Sequence, residues 1–204
     1  MKLSNLTSES LILLDAVFDD RFAAINALTD KIDQAGKLTN KQQFLDAVLH
    51  REEEGPTALG EYLAVPHGKS PAVIEPVFAC AFVKDELMWQ GIDGDEPVNM
   101  IFLIAIPPAE AGSTHMEVLT TLTSSLVDDD FRDELLAANS TQQIMKLFGS
   151  EGGCSQDASN THSEAKSDSE SQKQEEPEMA KDISQIAYPV VLGVGLVISA
   201  FLFL

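Results

Sequence analysis

The 204-residue sequence has few cysteines and few basic residues. Its two cysteines, Cys80 and Cys154, are too scattered for a disulfide framework, which indicates a reducing compartment. Only 13 lysines and arginines stand against 33 acidic residues, and the formal net charge is −20. Because nucleic-acid binding takes clustered lysine and arginine, this balance argues against a nucleic-acid partner and favours a basic protein partner.

Signals for secretion, nucleotides and metals are also missing. The apolar run at 11–14 is too short for a secretory signal, and acidic residues follow it closely, so we expect no signal peptide. There is no glycine-rich nucleotide loop, so no nucleotide cofactor is expected. The four histidines lack the i,i+4 spacing and the cysteine partners of common metal sites, so no metal is expected. A metal-dependent hydrolase built on His67, His115 and Glu61 is a weak alternative.

Apolar runs alternate with segments of helical periodicity over the first 150 residues. Strands are predicted at 11–17, 63–65, 77–83 and 98–106, and the last, being the most apolar, is predicted to be central. Five helices are predicted: one favoured by Asp19-Asp20, one capped by Asn40, one capped by Ser113 or Thr114, one beginning at Asp129-Asp130, and one over 141–148. Several strands are apolar throughout, which predicts an α/β fold with helices on both faces of a sheet.

Two local boundaries are predicted as well. The strand at 77–83 is expected to close at Lys84-Asp85, where the sequence becomes polar. Thr57 is expected to cap a single helical turn that leads into the strand at 63–65.

The segment Leu63-Ala64-Val65-Pro66-His67-Gly68 contains the strongest candidate for chemistry. Pro66 cannot continue a hydrogen-bonded ladder, so His67 is expected at the end of the apolar strand. Gly68 has no Cβ, which predicts open backbone that a bulky partner could approach. Taken alone, Pro-His-Gly is more typical of a histidine in an ordinary turn, and the wider pattern decides the matter.

That wider pattern resembles the signature of the fructose/mannitol-type (type 2) enzyme IIA domains of the bacterial phosphoenolpyruvate-dependent sugar phosphotransferase system. Glu52 opens it, Leu59-Gly60 continue it, and the segment 63–68 closes it without a mismatch. The resemblance extends over about residues 1–150 and implies a mixed central sheet. It implies a phosphotransferase that accepts a phosphoryl group from the histidine-containing phosphocarrier protein and passes it to a cysteine of enzyme IIB. Uptake of fructose or a related mannosyl sugar through enzyme IIC would follow.

The resemblance also assigns roles to three residues. His67 is the phosphoacceptor, through its tele nitrogen Nε2, and neutral imidazole is nucleophilic near pH 7. Arg51 is a phosphate contact, with a surface ion pair to Glu52 or Glu54 as the alternative. His115, at a predicted helix N-terminus, is expected to stabilise phosphohistidine, with a solvent-facing histidine as the alternative.

The other two histidines, His50 and His162, are not predicted to take part in the chemistry. His50 and His162 have the settings of a helix-surface and a linker histidine. The alternative function is a IIA-like regulatory module whose phosphorylation state controls a partner protein.

The composition changes after the first domain. We predict a IIA-like domain at 1–149, a flexible acidic and serine-rich linker at 150–182, and a transmembrane helix at 183–204. Residues 186–204 are uncharged and long enough as a helix to cross a bilayer, which predicts a C-terminal anchor at the cytoplasmic face of the inner membrane. The alternative is the remnant of a truncated fusion with enzymes IIB and IIC. Cys154 lies in the linker and does not resemble the IIB phosphoacceptor cysteine.

Overall fold

The computed structural model describes residues 2–108 and 113–150, except for the side chains of 113–116, 118 and 119. These residues belong to a compact unit that covers 1–157. Apart from Ser150, the predicted linker at 150–182 and the predicted helix at 183–204 lie outside the described residues. Within the described ranges, no helix is both long and apolar enough to cross a membrane.

Strands and helices alternate much as the apolar pattern predicts. The strands are β1 (Ile12–Ala16), β2 (Ala58–Gly60), β3 (Leu63–Ala64), β4 (His67–Lys69), β5 (Val77–Gln90) and β6 (Asp95–Ile106). The helices are α1 (Arg21–Gln34), α2 (Lys41–Glu54), α3 (Ser113–Leu126), α4 (Asp129–Ala137) and α5 (Thr141–Ser150). Asp20 and Asn40 cap α1 and α2 by accepting hydrogen bonds from backbone N–H groups, as expected at these positions.

The sheet is mixed, and β6 lies at its centre. The order is β1-β5-β6-β3-β2, and β4 also pairs with β6. Strand β5 is antiparallel to β6, whereas β3 and β4 are both parallel to it. Leu63 is opposite Met100 and His67 is opposite Ile104, so β3 and β4 follow one another along the same edge of β6. Pro66 therefore interrupts this line of pairing but does not end it.

Helices cover both faces of the sheet, which confirms the predicted layering. On one face, Ala79 and Ala81 of β5 and Leu103 of β6 join the core formed with α1 and α2. On the other face, the Phe78 ring of β5 lies 5.4 Å from the ring of Phe148 in α5. This alternation follows from the two-residue period of strands, which sends successive side chains to opposite faces.

Two predicted boundaries are wrong, both because contacts distant in sequence outweigh the local pattern. Strand β5 does not close at Lys84-Asp85 but continues to Gln90, which pairs with Asp95 of β6. A register shift between Phe82 and Leu87 accommodates the polar residues. Thr57 caps no helical turn: it is buried directly before β2, and its hydroxyl donates to Glu52.

Candidate active site

His67 is held by two contacts that fix one form of its ring. Its Nδ1 lies 3.0 Å from the carbonyl oxygen of Val65, and its Nε2 lies 3.0 Å from Nε of Arg51. A carbonyl can only accept and a guanidinium can only donate, so Nδ1 carries the hydrogen and Nε2 has the lone pair. The ring is therefore neutral, with its nucleophilic nitrogen at Nε2. The residue is only 7% exposed, so little of it is presented to solvent.

Arg51 reaches His67 from the last turn of α2. Its Nη1 donates to the carbonyl oxygen of Gly55 at 3.1 Å, just beyond the helix end, and its Nε faces His67. The alternative of a surface ion pair with Glu52 or Glu54 is wrong for Glu52, since that carboxylate is buried with other partners. A guanidinium beside Nε2 lies where it could contact the oxygens of a phosphoryl group attached there.

Glu52 forms a buried cluster that the sequence did not reveal. The side chain is 3% exposed; its Oε2 accepts from the Thr57 hydroxyl at 2.6 Å and its Oε1 from the Trp89 indole N–H at 2.8 Å. The indole also lies 3.0 Å from Oγ1 of Thr57. The sequence offered little indication that Trp89 contacts Glu52, because Trp89 lies beyond the predicted end of its strand and is 37 residues from Glu52.

Gly68 is needed for packing and does not provide open backbone for a partner. A Cβ at this position would lie 2.7 Å from Cγ2 of Val48 and 3.1 Å from Cε2 of Phe44, both in α2. The prediction of an open approach over Gly68 is therefore wrong. The glycine instead lets α2 lie directly on β4, and this close contact brings the end of α2, with Arg51, next to His67.

The other predicted site residues lie elsewhere or outside the described residues. The backbone of His115 is in the first turn of α3, but its side chain lies outside the described residues, as does His162. Glu61 contacts Arg132 of α4 at 3.3 Å. His50 is a surface residue, as predicted, and its Nε2 lies 3.3 Å from Glu54. Within the described ranges, no group of three or more His, Cys, Asp or Glu side chains could hold a metal ion.

The cysteine in the described part of the chain, Cys80, is not one of the residues of this site. Cys80 lies in β5 and is fully buried, and burial raises the pKa of its thiol. The thiol is therefore protonated at neutral pH and is a poor nucleophile. Cys154 lies outside the described residues.

Comparison with known proteins identifies one family. Residues 5–150 match the family model for "Phosphoenolpyruvate-dependent sugar phosphotransferase system, EIIA 2". The chain is 45% identical over 159 residues to the PTS system 2-O-alpha-mannosyl-D-glycerate-specific EIIABC component of Escherichia coli, covering 78% of this chain and 24% of that protein. It is 34% identical over 146 residues to the PTS system fructose-specific EIIA component of Haloferax volcanii, covering 72% of this chain and 94% of that protein.

A solved structure shares the fold. The complex of the mannitol enzyme IIA with phosphorylated enzyme IIB from Escherichia coli matches with a TM-score of 0.59 and 23% identity, covering 70% of this chain and 96% of the other. The coverage values show two patterns: this chain spans nearly all of the single-component relative, but only about a quarter of the EIIABC relative.

Proposed function

Because the chain belongs to the EIIA 2 family of the phosphoenolpyruvate-dependent sugar phosphotransferase system, we propose that His67 carries a phosphoryl group between two proteins. The donor is a histidine-containing phosphocarrier protein, and the acceptor is a cysteine of an enzyme IIB. One observation carries the proposal: the Nε2 lone pair of His67 lies beside the Arg51 guanidinium, while Nδ1 is held on the Val65 carbonyl oxygen. The solved complex of the mannitol enzyme IIA with phosphorylated enzyme IIB supports the choice of an enzyme IIB as acceptor.

We propose the following bond changes for the transfer at His67. Nε2 attacks the phosphorus of the donor's phosphohistidine, and the donor's N–P bond breaks with its electron pair returning to the donor ring. The Nδ1 hydrogen of His67 stays on its bond to Val65 O, so the phosphorylated ring is an imidazolium. A cationic ring is a good leaving group. The thiolate of IIB then attacks phosphorus, and the N–P electron pair returns to Nε2 and regenerates the neutral ring.

Little covalent assistance is needed beyond this nucleophile. Phosphoryl transfer depends mainly on in-line placement and on stabilising the charge spread over the phosphoryl oxygens. We assign that second task to Arg51, whose guanidinium already contacts Nε2. When a phosphoryl group occupies Nε2, the guanidinium turns its donors to the phosphoryl oxygens.

The system served by this domain takes up fructose or a related mannosyl compound. Two names support this assignment, that of the mannosyl-glycerate relative and that of the fructose relative. The sugar contacts belong to an enzyme IIC, so the domain itself does not select the sugar.

A labelling assay tests the proposed function. The purified chain is incubated with radioactive phosphoenolpyruvate, enzyme I and the phosphocarrier protein, and then with an enzyme IIB. We expect acid-labile label that moves to IIB. Without any label on the chain, the proposal is wrong. Label that forms normally but moves to no IIB would favour the regulatory alternative.

We also propose that His115 stabilises phosphohistidine without carrying phosphate itself. Its position in the first turn of α3 supports a contact with an anion, because helix N-termini favour negative charge. His115→Ala should still accept phosphate but pass it to IIB about tenfold more slowly, the size expected for losing one hydrogen bond to a charged group. A single-turnover assay measures this, with His50→Ala as the control. An unchanged donation rate would contradict the assignment.

For the C-terminal region we propose that residues 186–204 anchor the chain in the inner membrane, with the IIA domain on the cytoplasmic side. As a helix these 19 residues would span roughly 28 Å, close to the thickness of a bilayer core. We expect the full chain in the membrane fraction of expressing cells and a version that ends at Gly149 in the supernatant. Equal release of both versions into the supernatant would overturn the anchor and favour the remnant of a longer fusion.

A further inference from the structure

Glu52 is an unusual residue in this acidic protein. Of the acidic side chains in the described residues, it is the one that is buried. Burying a carboxylate is costly unless its oxygens are hydrogen-bonded. Here both oxygens accept from neutral donors, the Thr57 hydroxyl and the Trp89 indole, and Nε of Arg21 lies 3.9 Å from Oε1. Three polar groups therefore surround one buried carboxylate, which indicates that the carboxylate has a specific structural role.

The carboxylate joins three parts of the chain at the end of α2. Glu52 is in the last turn of the helix, Thr57 precedes β2, and Trp89 is near the end of β5, opposite Glu96 of β6. Helix ends fray because their last carbonyls lack intrahelical donors. A hydrogen-bonded attachment to β5 and to the segment before β2 holds this turn in place.

Arg51 is the neighbouring residue in the same turn, so its direction depends on that attachment. Its Nε reaches Nε2 of His67 at 3.0 Å, and its Nη1 reaches the carbonyl oxygen of Gly55. Both contacts require the end of α2 to stay where it is. A rotation of the turn by even a small angle would move a side chain as long as arginine away from His67.

We propose that Glu52 is a positioning residue: its carboxylate, held by Thr57 and Trp89, fixes the last turn of α2 and thereby aims Arg51 at His67. The proposal rests on the proposed function of His67. The hydrogen bonds of the Glu52 carboxylate go to Thr57 and Trp89, and we assign it no contact with the phosphoryl group; it acts through Arg51.

The hydrogen-bond pattern predicts a graded response to substitution. Glutamine keeps one carbonyl oxygen for the Trp89 N–H, but its amide group can only donate toward Thr57, whose hydroxyl hydrogen then loses its acceptor. Leucine removes both acceptors, so the Thr57 hydroxyl hydrogen loses its partner and the Trp89 indole keeps only Oγ1 of Thr57. We expect Glu52→Gln to slow phosphoryl acceptance about tenfold and Glu52→Leu about 100-fold, the range for a small misplacement of a catalytic group.

The decisive experiment is a double-mutant cycle on the full chain. Single-turnover acceptance from the phosphocarrier is measured for the wild type, Glu52→Gln, Arg51→Ala and the double variant. If Glu52 acts through Arg51, Glu52→Gln slows the wild type but adds almost nothing in the Arg51→Ala background. Glu53→Gln, an exposed neighbour, removes the same charge and should retain the wild-type rate.

The outcomes separate this proposal from the proposed function. If the wild type accepts no phosphate, the proposed function fails. If the wild type accepts phosphate and Glu52→Gln accepts it at the same rate, the function stands and the positioning role is wrong. The same conclusion follows if Glu52→Gln slows acceptance by an equal factor in the wild type and in Arg51→Ala. Because the conclusion comes from the cycle with glutamine, it does not depend on whether the leucine variant folds.

Discussion

Replacing His67 by alanine is expected to abolish phosphoryl acceptance. The ring supplies the only atom to which we assign the new bond, Nε2, and alanine offers no nucleophile in its place. The measurement is radioactive transfer from phosphoenolpyruvate through enzyme I and the phosphocarrier, followed by separation of the proteins in a gel under alkaline conditions, which preserve phosphohistidine. We expect label on the wild type and only background on the variant.

His50→Ala is the matched control for this substitution. His50 is a histidine of α2 with an exposed side chain, and its partner is Glu54. Its removal should leave labelling unchanged. Because His67 is buried, a urea titration of His67→Ala should first establish that the variant is folded under assay conditions. Full acid-labile label on the folded alanine variant would remove His67 from the mechanism.

Much of the fold was predictable because its local signals agree with its tertiary structure. The apolar run at 98–106 is central in the sheet, and Asp20 and Asn40 cap the helices that their positions predict. The sequence could not predict the length of β5, because Leu87 to Gln90 are strand residues only through their pairing with β6. A polar segment carries no periodicity that reveals a cross-strand partner.

In the candidate site, too, the local motif could be predicted from the sequence, whereas contacts between residues far apart in the chain could not. The motif from Glu52 to Gly68 predicted His67, the wider family resemblance predicted Arg51, and the structure brings their side chains to 3.0 Å. It could not predict that Gly68 faces α2, because that contact depends on how the helix packs on β4. The partnership of Glu52 with Trp89 was equally invisible, since the two residues meet only after β5 pairs with β6.

The contact between Arg51 and Nε2 has two consequences that oppose one another. In the structure the guanidinium donates to the lone pair that we propose attacks phosphorus, so it would have to leave Nε2 before the new bond forms. Once phosphorus approaches, the same group can stabilise the charge on the phosphoryl oxygens. The second effect should dominate, because charge stabilisation is the main requirement of phosphoryl transfer and a single hydrogen bond to a neutral ring contributes much less.

We therefore expect Arg51→Ala to slow phosphoryl acceptance by about 10²- to 10³-fold, the effect typical of losing one electrostatic contact to a transition state. Arg51→Lys should recover part of the rate, since lysine restores the charge but not the planar, paired donors. Single-turnover kinetics with the phosphocarrier measures both variants. Lys41→Ala, at the start of the same helix, removes one positive charge far from the last turn and should react at the wild-type rate. Faster acceptance by Arg51→Ala would mean that the guanidinium chiefly blocks Nε2, and its assignment as a phosphate contact would be wrong.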